Sequence, residues 1–173
     1  MNGLNPVGRR HRYAAGQPSG TTRGVARGSP APVTQQLHIV RVFVFRQDSR
    51  QIDYLVVRRQ PAHDSFWAPV TGVMQPHESI FQAAVRSVGE EIGLPSPRQI
   101  VDLQLATRHQ IGDLEEIDWS VGYRAGGSPL DLHPAADLAE LRWLDFDAIY
   151  RNLDLEEDRR SIMRLHFTLR SAG

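Results

Sequence analysis

Apolar positions between Leu37 and Arg46 (LHIVRVFVFR) fill both alternations of an extended chain, which predicts a central strand buried on two faces. A polar turn at Gln47–Arg50 and a second apolar run, Gln51–Arg59, make a hairpin with it. Pro61–Ser65 reads as a loop. Phe66–Thr71 is short and extended, and Pro69 confines it to an edge or a bulge. The period then changes. Ile80, Ala83, Ala84 and Val88 recur at three- and four-residue spacing, so a helix is expected from Ser79 to Ile92. Gly93 closes it, and Pro95 and Pro97 keep it closed. Gln99–Thr107, Ile117–Arg124 and Leu138–Leu144 read as strands. Phe146–Arg151 reads as a short helix, and Glu156–Arg170 as an amphipathic one with Ile162, Leu165 and Leu169 on one face. The order β-β-β-α-β-β-β-α implies an α/β (α+β) domain, a mixed sheet flanked by helices.

Composition divides the 173 residues unevenly. Residues 1–34 hold six Gly and four Pro and few large apolar groups, so they are expected to be a disordered basic tail. The folded domain is expected over residues 35–170, with a short C-terminal tail at 171–173. The formal net charge of zero is a cancellation: residues 1–30 carry five arginines and no acid, and the body after them is acidic. A neutral chain with an acidic body argues against a nucleic-acid partner, and a basic block alone does not restore one. The absence of Cys excludes disulfides, Cys–zinc sites and a Cys nucleophile. All twenty basic residues are Arg, so Schiff-base chemistry is excluded too. No apolar run reaches the roughly 18 residues of a membrane span, and the N-terminus lacks the apolar core of a secretory signal, which makes the cytoplasm the default location.

The chemistry concentrates in Gly72–Leu94 (GVMQPHESIFQAAVRSVGEEIGL). Glu90 and Glu91 are adjacent near the C-terminal end of the expected helix. There they face the negative end of the helix dipole and repel each other. A divalent cation resolves both problems. Positions 87, 90 and 91 share one helix face, and Arg86 lies one turn before Glu90, within reach of an ion pair. The Gly72–His77 loop supplies backbone carbonyls. The result reads as a platform for Mg²⁺, with phosphate oxygens and water completing its shell.

These residues resemble the Nudix box, G-x5-E-x7-R-E-U-x-E-E-x-G-U, where U is aliphatic. Gly72, Glu78, Arg86, Val88, Glu90, Glu91, Gly93 and Leu94 match eight of its nine specified positions; the ninth holds Ser87 in place of Glu. The resemblance implies the Nudix fold, an α/β/α sandwich around a central mixed sheet. It also implies a pyrophosphohydrolase that cleaves a diphosphate linkage by attack of water on phosphorus, with Mg²⁺ as cofactor and Mn²⁺ as a substitute. Glu90, Glu91 and Arg86 take the catalytic positions. Glu90, Glu91, the Gly72 carbonyl and the degenerate Ser87 take the metal positions, and Glu78 supports them. VVRRQPAHDSFWAPVTGVM is similar to the segment before the box in members that hydrolyse nucleoside or pterin triphosphates, including dihydroneopterin triphosphate pyrophosphohydrolases. The implied partner is therefore a nucleoside or pterin polyphosphate. Ser87 removes one negative charge from the cation face, so a weakened enzyme or a nucleotide-binding regulatory module is the alternative. The oligomeric state stays open, a homodimer included.

Several residues outside the box are candidates for substrate contact. Trp67 either stacks on a ring or plugs the sheet edge, and Phe66 is expected in the core. By alternation only one of Arg58 and Arg59 can point towards phosphates. Glu115, Glu116 and Asp118 read either as a solvated turn or as the source of a further acid, with Glu116 the candidate for substrate binding. His63, His77 and His109 lie near the expected site and read individually as surface histidines.

Overall fold

The computed structural model describes residues 35–60, 66–94, 96–126 and 132–171. The expected tail over residues 1–34 and His63 lie outside them. The elements in chain order are β1 (Gln35–Gln47), β2 (Ile52–Arg59), β3 (Trp67–Ala68), β4 (Val70–Val73), α1 (Ile80–Ile92), β5 (Gln99–Ile111), β6 (Leu114–Arg124), β7 (Leu138–Leu144), α2 (Phe146–Asn152) and α3 (Glu156–Ser171). The strands form a seven-stranded mixed sheet along the path β3-β2-β1-β6-β5, with β4 paired to β1 and β7 to β2. β1 and β6 are parallel, and the other pairs are antiparallel.

β1 is buried on both faces, as its doubly apolar pattern requires. Val40, Val42 and Val44 belong to a core with Ala83, Ala84, Val88 and Ile92 of α1. Phe43 and Phe45 belong to another with Ile149 of α2 and Ile162, Leu165 and Leu169 of α3. The two clusters are the two interfaces of an α/β/α sandwich, the expected architecture.

Three differences from the expected elements have local causes. The extended segment at Phe66–Thr71 is two strands, because Pro69 has no N–H to continue a ladder. β3 pairs β2 at Val57 and Arg58, whereas β4 pairs β1 from Ile39 to Val42. The polar stretch before Ile117 is not a loop. β5 runs on to Ile111 and β6 starts at Leu114, in register through His109–Glu116, with Gly112 at φ 60° in the turn. The last helix extends to Ser171, one residue into the expected C-terminal tail.

β1 and β2 pair only at Phe45–Tyr54, Arg46–Asp53 and Gln47–Ile52. Beyond that they take different neighbours, β4 and β3, and the sheet opens between them. The opening faces the start of α3, where Asp158, with Leu155 just before the helix, lines it.

α1 is fixed at both ends. Ser79 and Gln82 form a capping box, each side chain meeting the other's backbone N–H. Gly93 takes the left-handed conformation at φ 72° and its N–H bonds to Gly89 O. The N–H groups of His133 and Ala135 donate to the carbonyls of Ile92 and Glu91 at 2.9 and 2.8 Å. These bonds satisfy carbonyls that a helix end leaves without partners. A Cβ on Gly93 would lie 2.7 Å from the Cβ of His133. Gly93→Ala is therefore expected to lower unfolding free energy by about 1–2 kcal/mol from backbone strain, with the His133 contact adding to it. Chemical denaturation measures this, and a loss below about 0.5 kcal/mol would contradict it.

Candidate functional site

The site grows from the contact between α1 and β4. Ser87 and Glu91, one turn apart, lie on the buried side of α1. A Cβ at Gly72 would fall 1.8 Å from Ser87 Oγ, so only glycine lets the helix sit this close to the strand. Ser87 is 3% exposed, and its hydroxyl has no hydrogen-bond partner among the described residues. Glu91, also buried, accepts a hydrogen bond on Oε2 from the Thr71 backbone N–H at 3.2 Å. Its Oε1 is held by Arg59 Nη2. Arg59 comes from the end of β2, where the pairing with β7 shifts register. Its other terminal nitrogen bonds Asp137 at 2.7 Å.

A second guanidinium organises the exposed side of the motif. Arg86 donates to Glu78 at 2.9 and 2.8 Å, to Glu90 at 2.9 Å and to the Val73 carbonyl at 2.8 Å. It thereby ties the loop after β4 to the last turns of α1. Hydrogen bonds from Arg86 and from the Gln75 N–H hold the Glu78 carboxyl down to about 2, against an ordinary value of 4.5. The Glu78 hydrogen bonds, reinforced by Glu90, raise Arg86 above the ordinary arginine range. Glu90, with its side chain 63% exposed, is the one carboxylate of the three that opens widely to solvent.

Two cavities meet here. One, of about 340 Å³, is lined by Arg86, Ser87, Glu90, Glu91 and Ala135 together with Arg59, Thr71, Gly72 and Val73. The other, of about 360 Å³, occupies the opening between β1 and β2; Phe66, Trp67, Leu155, Arg41 and Asp158 contribute to its wall. Arg59, Thr71, Gly72 and Val73 belong to both. Phe66 is 53% exposed at the cleft, which corrects its expected place in the core: it precedes β3 and has no sheet layer to cover it. Trp67 also lines the cleft. Its ring lies 5.0 Å from the Arg58 guanidinium and 4.8 Å from that of Arg142. Arg58 pairs with Glu140, so the alternation at the end of β2 gives Arg59 to the α1 side and Arg58 to Trp67.

The acids of β6 are in a strand, not in a solvated turn. Glu116, opposite His109, alternates with Asp118 and Ser120 towards α3, the face away from α1, and it lines neither cavity. His109 lies 4.0 Å from Glu157 of α3. His77 is exposed in the loop before α1. Glu115 pairs with Arg108 and Gln36. Asp118 is 2% exposed and accepts from Arg41 Nη1 at 3.0 Å. Arg41 also makes a bidentate pair with Asp158 at 2.7 and 2.7 Å. The sequence reading missed this Arg41–Asp158 wall of the cleft. Its one signal was an arginine in the middle of an apolar strand, which demands buried partners. Burial raises the Asp158 carboxyl against the pull of Arg41. Burial also opposes the charge on Arg41, but the bonds and charges of Asp158 and Asp118 outweigh it and raise the guanidinium.

A family model, the NUDIX domain, matches residues 37–166. The chain belongs to the Nudix family. The Nudix hydrolase RenU from M. smegmatis shares 24% identity at a TM-score of 0.63, over 80% of this chain and 89% of its own. Dihydroneopterin triphosphate pyrophosphohydrolase from E. coli shares 20% at 0.61, over 72% and 91%. Both are similar in fold. An octanoyltransferase from Myxococcus xanthus is 27% identical over 131 residues, 74% of this chain. The Nudix chain spans 36% of that relative's length. Both of the solved structures are named as hydrolases.

Whether the Nudix residues here suit a divalent cation can be tested on their chemistry. Two carboxylates, an unpartnered buried hydroxyl and the Gly72 backbone form the hard oxygen set that Mg²⁺ favours, and one or two carboxylates are its usual protein share. Among the described residues no three His, Asp or Glu side chains converge into a ready-made cage. The set therefore fits a cation that brings phosphate oxygens with it.

The depressed Glu78 carboxyl stabilises the fold fully above its ordinary value of 4.5, and this contribution is lost as pH falls towards about 2. In urea titrations from about pH 5 down to about pH 2, Glu78→Gln should lose less stability than the parent chain. Equal losses would contradict the Arg86–Glu78 assignment.

Proposed function

We propose that this Nudix domain is a Mg²⁺-dependent pyrophosphohydrolase acting on a nucleoside or pterin polyphosphate. The observation that carries this reading is the junction of the two cavities at Arg59, Thr71, Gly72 and Val73. A flat ring enters the cleft beside Phe66 and Trp67, the aromatic side chains of its wall. Its phosphates then extend over Gly72 towards the motif face. Glu90, Glu91, the Gly72 carbonyl and Ser87 would hold the cation. When bound, Mg²⁺ offsets the charge that develops on the phosphoryl oxygens. Arg86 keeps Glu90 in place through their ion pair and fixes the Glu78 loop. Arg59 supplies a guanidinium suited to phosphate oxygens. Reaction by attack of water in line with the leaving phosphate then rests mainly on positioning and neutralisation. Arg58 and Glu116 are not given a substrate role, because one is engaged with Glu140 and Trp67 and the other faces α3.

A second reading, a nucleotide-binding module with weak or no turnover, is favoured by Ser87. It leaves the motif face with one carboxylate fewer, and its hydroxyl is buried. The acyl transfer in the name of the Myxococcus relative is not assigned to this chain, which spans 36% of that relative's length.

Incubation with Mg²⁺ and a panel of nucleoside triphosphates, dinucleoside polyphosphates, nucleotide sugars and dihydroneopterin triphosphate should release phosphate or pyrophosphate from at least one. Glu91→Gln should reduce that turnover roughly a hundredfold or more. Ser87→Glu should tighten Mg²⁺ and raise the rate. No turnover on the whole panel, with a nucleotide still raising the melting temperature, would replace the enzyme by the binding module.

A further inference from the structure

Glu91 is already fully engaged inside the protein. Its two oxygens are taken by Arg59 and by the Thr71 N–H. A cation that takes Oε1 competes with a guanidinium for it. Arg59 is itself 28% exposed, and it is one of the few residues that line both cavities. Besides Glu91 it reaches Asp137 at 2.7 Å and Thr71 Oγ1 at 3.4 Å. It sits at the last position of β2, beside the register shift, where a side chain can be re-aimed without disturbing the ladder.

We propose that Arg59 is a positioning residue that exchanges Glu91 for the diphosphate of the substrate, so that cation and diphosphate binding depend on each other. This rests on the cation and diphosphate reading of the same site. A diphosphate arriving from the cleft offers Arg59 the bidentate oxygens that a guanidinium prefers. Arg59 swings onto them and releases Glu91 Oε1 to the cation. In the other direction, a cation on Glu91 releases Arg59 to the phosphates. Coupling of this kind is reciprocal by thermodynamic necessity. Ser87 favours the exchange. With Ser87 in place of a third acid on the face it shares with Glu90 and Glu91, a cation alone meets less negative charge with which to compete against the Arg59 guanidinium. In the free site each of these carboxylates therefore rests on a guanidinium, Glu91 on Arg59 and Glu90 on Arg86.

The test is calorimetric titration of Mn²⁺ into the full chain, with and without methylenediphosphonate, a diphosphate that cannot be hydrolysed. A parallel titration of the diphosphonate without protein removes its own affinity for the ion. The parent chain should bind Mn²⁺ weakly alone and roughly tenfold more tightly with the diphosphonate, within the usual range of coupled sites. Arg59→Gln should bind Mn²⁺ alone more tightly than the parent, and the diphosphonate should then add little. Arg59→Lys, which keeps the charge without the fork, should show part of the coupling. Melting temperatures confirm that each variant is folded. If Arg59→Gln binds Mn²⁺ no better than the parent while Glu91→Gln weakens it, the cation site stands and the exchange is overturned. If Glu91→Gln leaves Mn²⁺ binding unchanged in both the parent and the Arg59→Gln background, the cation site itself is overturned.

Discussion

The close approach of α1 to β4 at Gly72 is the constraint on which the site depends. A missing Cβ lets Ser87 lie against the strand. That seating brings Glu91 onto the Thr71 N–H and within reach of Arg59. It also brings Arg86 to the Val73 carbonyl and the Glu78 loop. The Nudix motif thus begins with a packing requirement, and its charges acquire their geometry from it. The helix could not shift along the strand without losing all of these contacts together.

The electrostatics follow from that seating. Three motif carboxylates stand close to two guanidinium groups, and each has a defined partner: Glu78 and Glu90 on Arg86, Glu91 on Arg59. Burial differs along the series. The pair on Glu91 is sheltered, where an ion pair is costly to break one-sidedly, whereas Glu90 is open to water and its pair is weak. The accessible carboxylate and the sheltered one therefore present a cation with very different opposition. At this site the two guanidinium groups offset only part of the acidic charge, since Arg86 serves both Glu78 and Glu90 and Arg59 serves both Glu91 and Asp137.

Much of this fold was legible in the chain. The doubly apolar β1, the spacing of Ile80, Ala83, Ala84 and Val88, and Gly93 each determine their element by local physics, and the Nudix spacing located the helix and loop that build the site. The remainder depended on contacts distant in sequence. The tip of the β5–β6 hairpin, residues 108–116, is rich in polar and charged side chains, so its pattern resembled a loop; pairing of β5 with β6, and of β6 with β1, made it strand. Pro69 was legible as a break, but not that the two halves join different neighbours. Phe66 looked like core because it is large and apolar; its position before β3 at the mouth of the cleft is a property of the split sheet. Alternation showed that Arg58 and Arg59 diverge, and only the tertiary structure gave Arg59 to the motif.

The segment from Leu132 to Asp137 joins two jobs that are usually separate. Its backbone closes the end of α1 through His133 and Ala135, and its last side chain holds Arg59. A change in its length would alter the helix end and the guanidinium together. In this chain the connection between β6 and β7 is therefore a poor place for substrate preference to evolve freely, because variation there is tied to the integrity of the motif helix. Trp67, at the mouth of the cleft, is likewise tied in, through the pairing of β3 with β2 and through the guanidinium groups of Arg58 and Arg142.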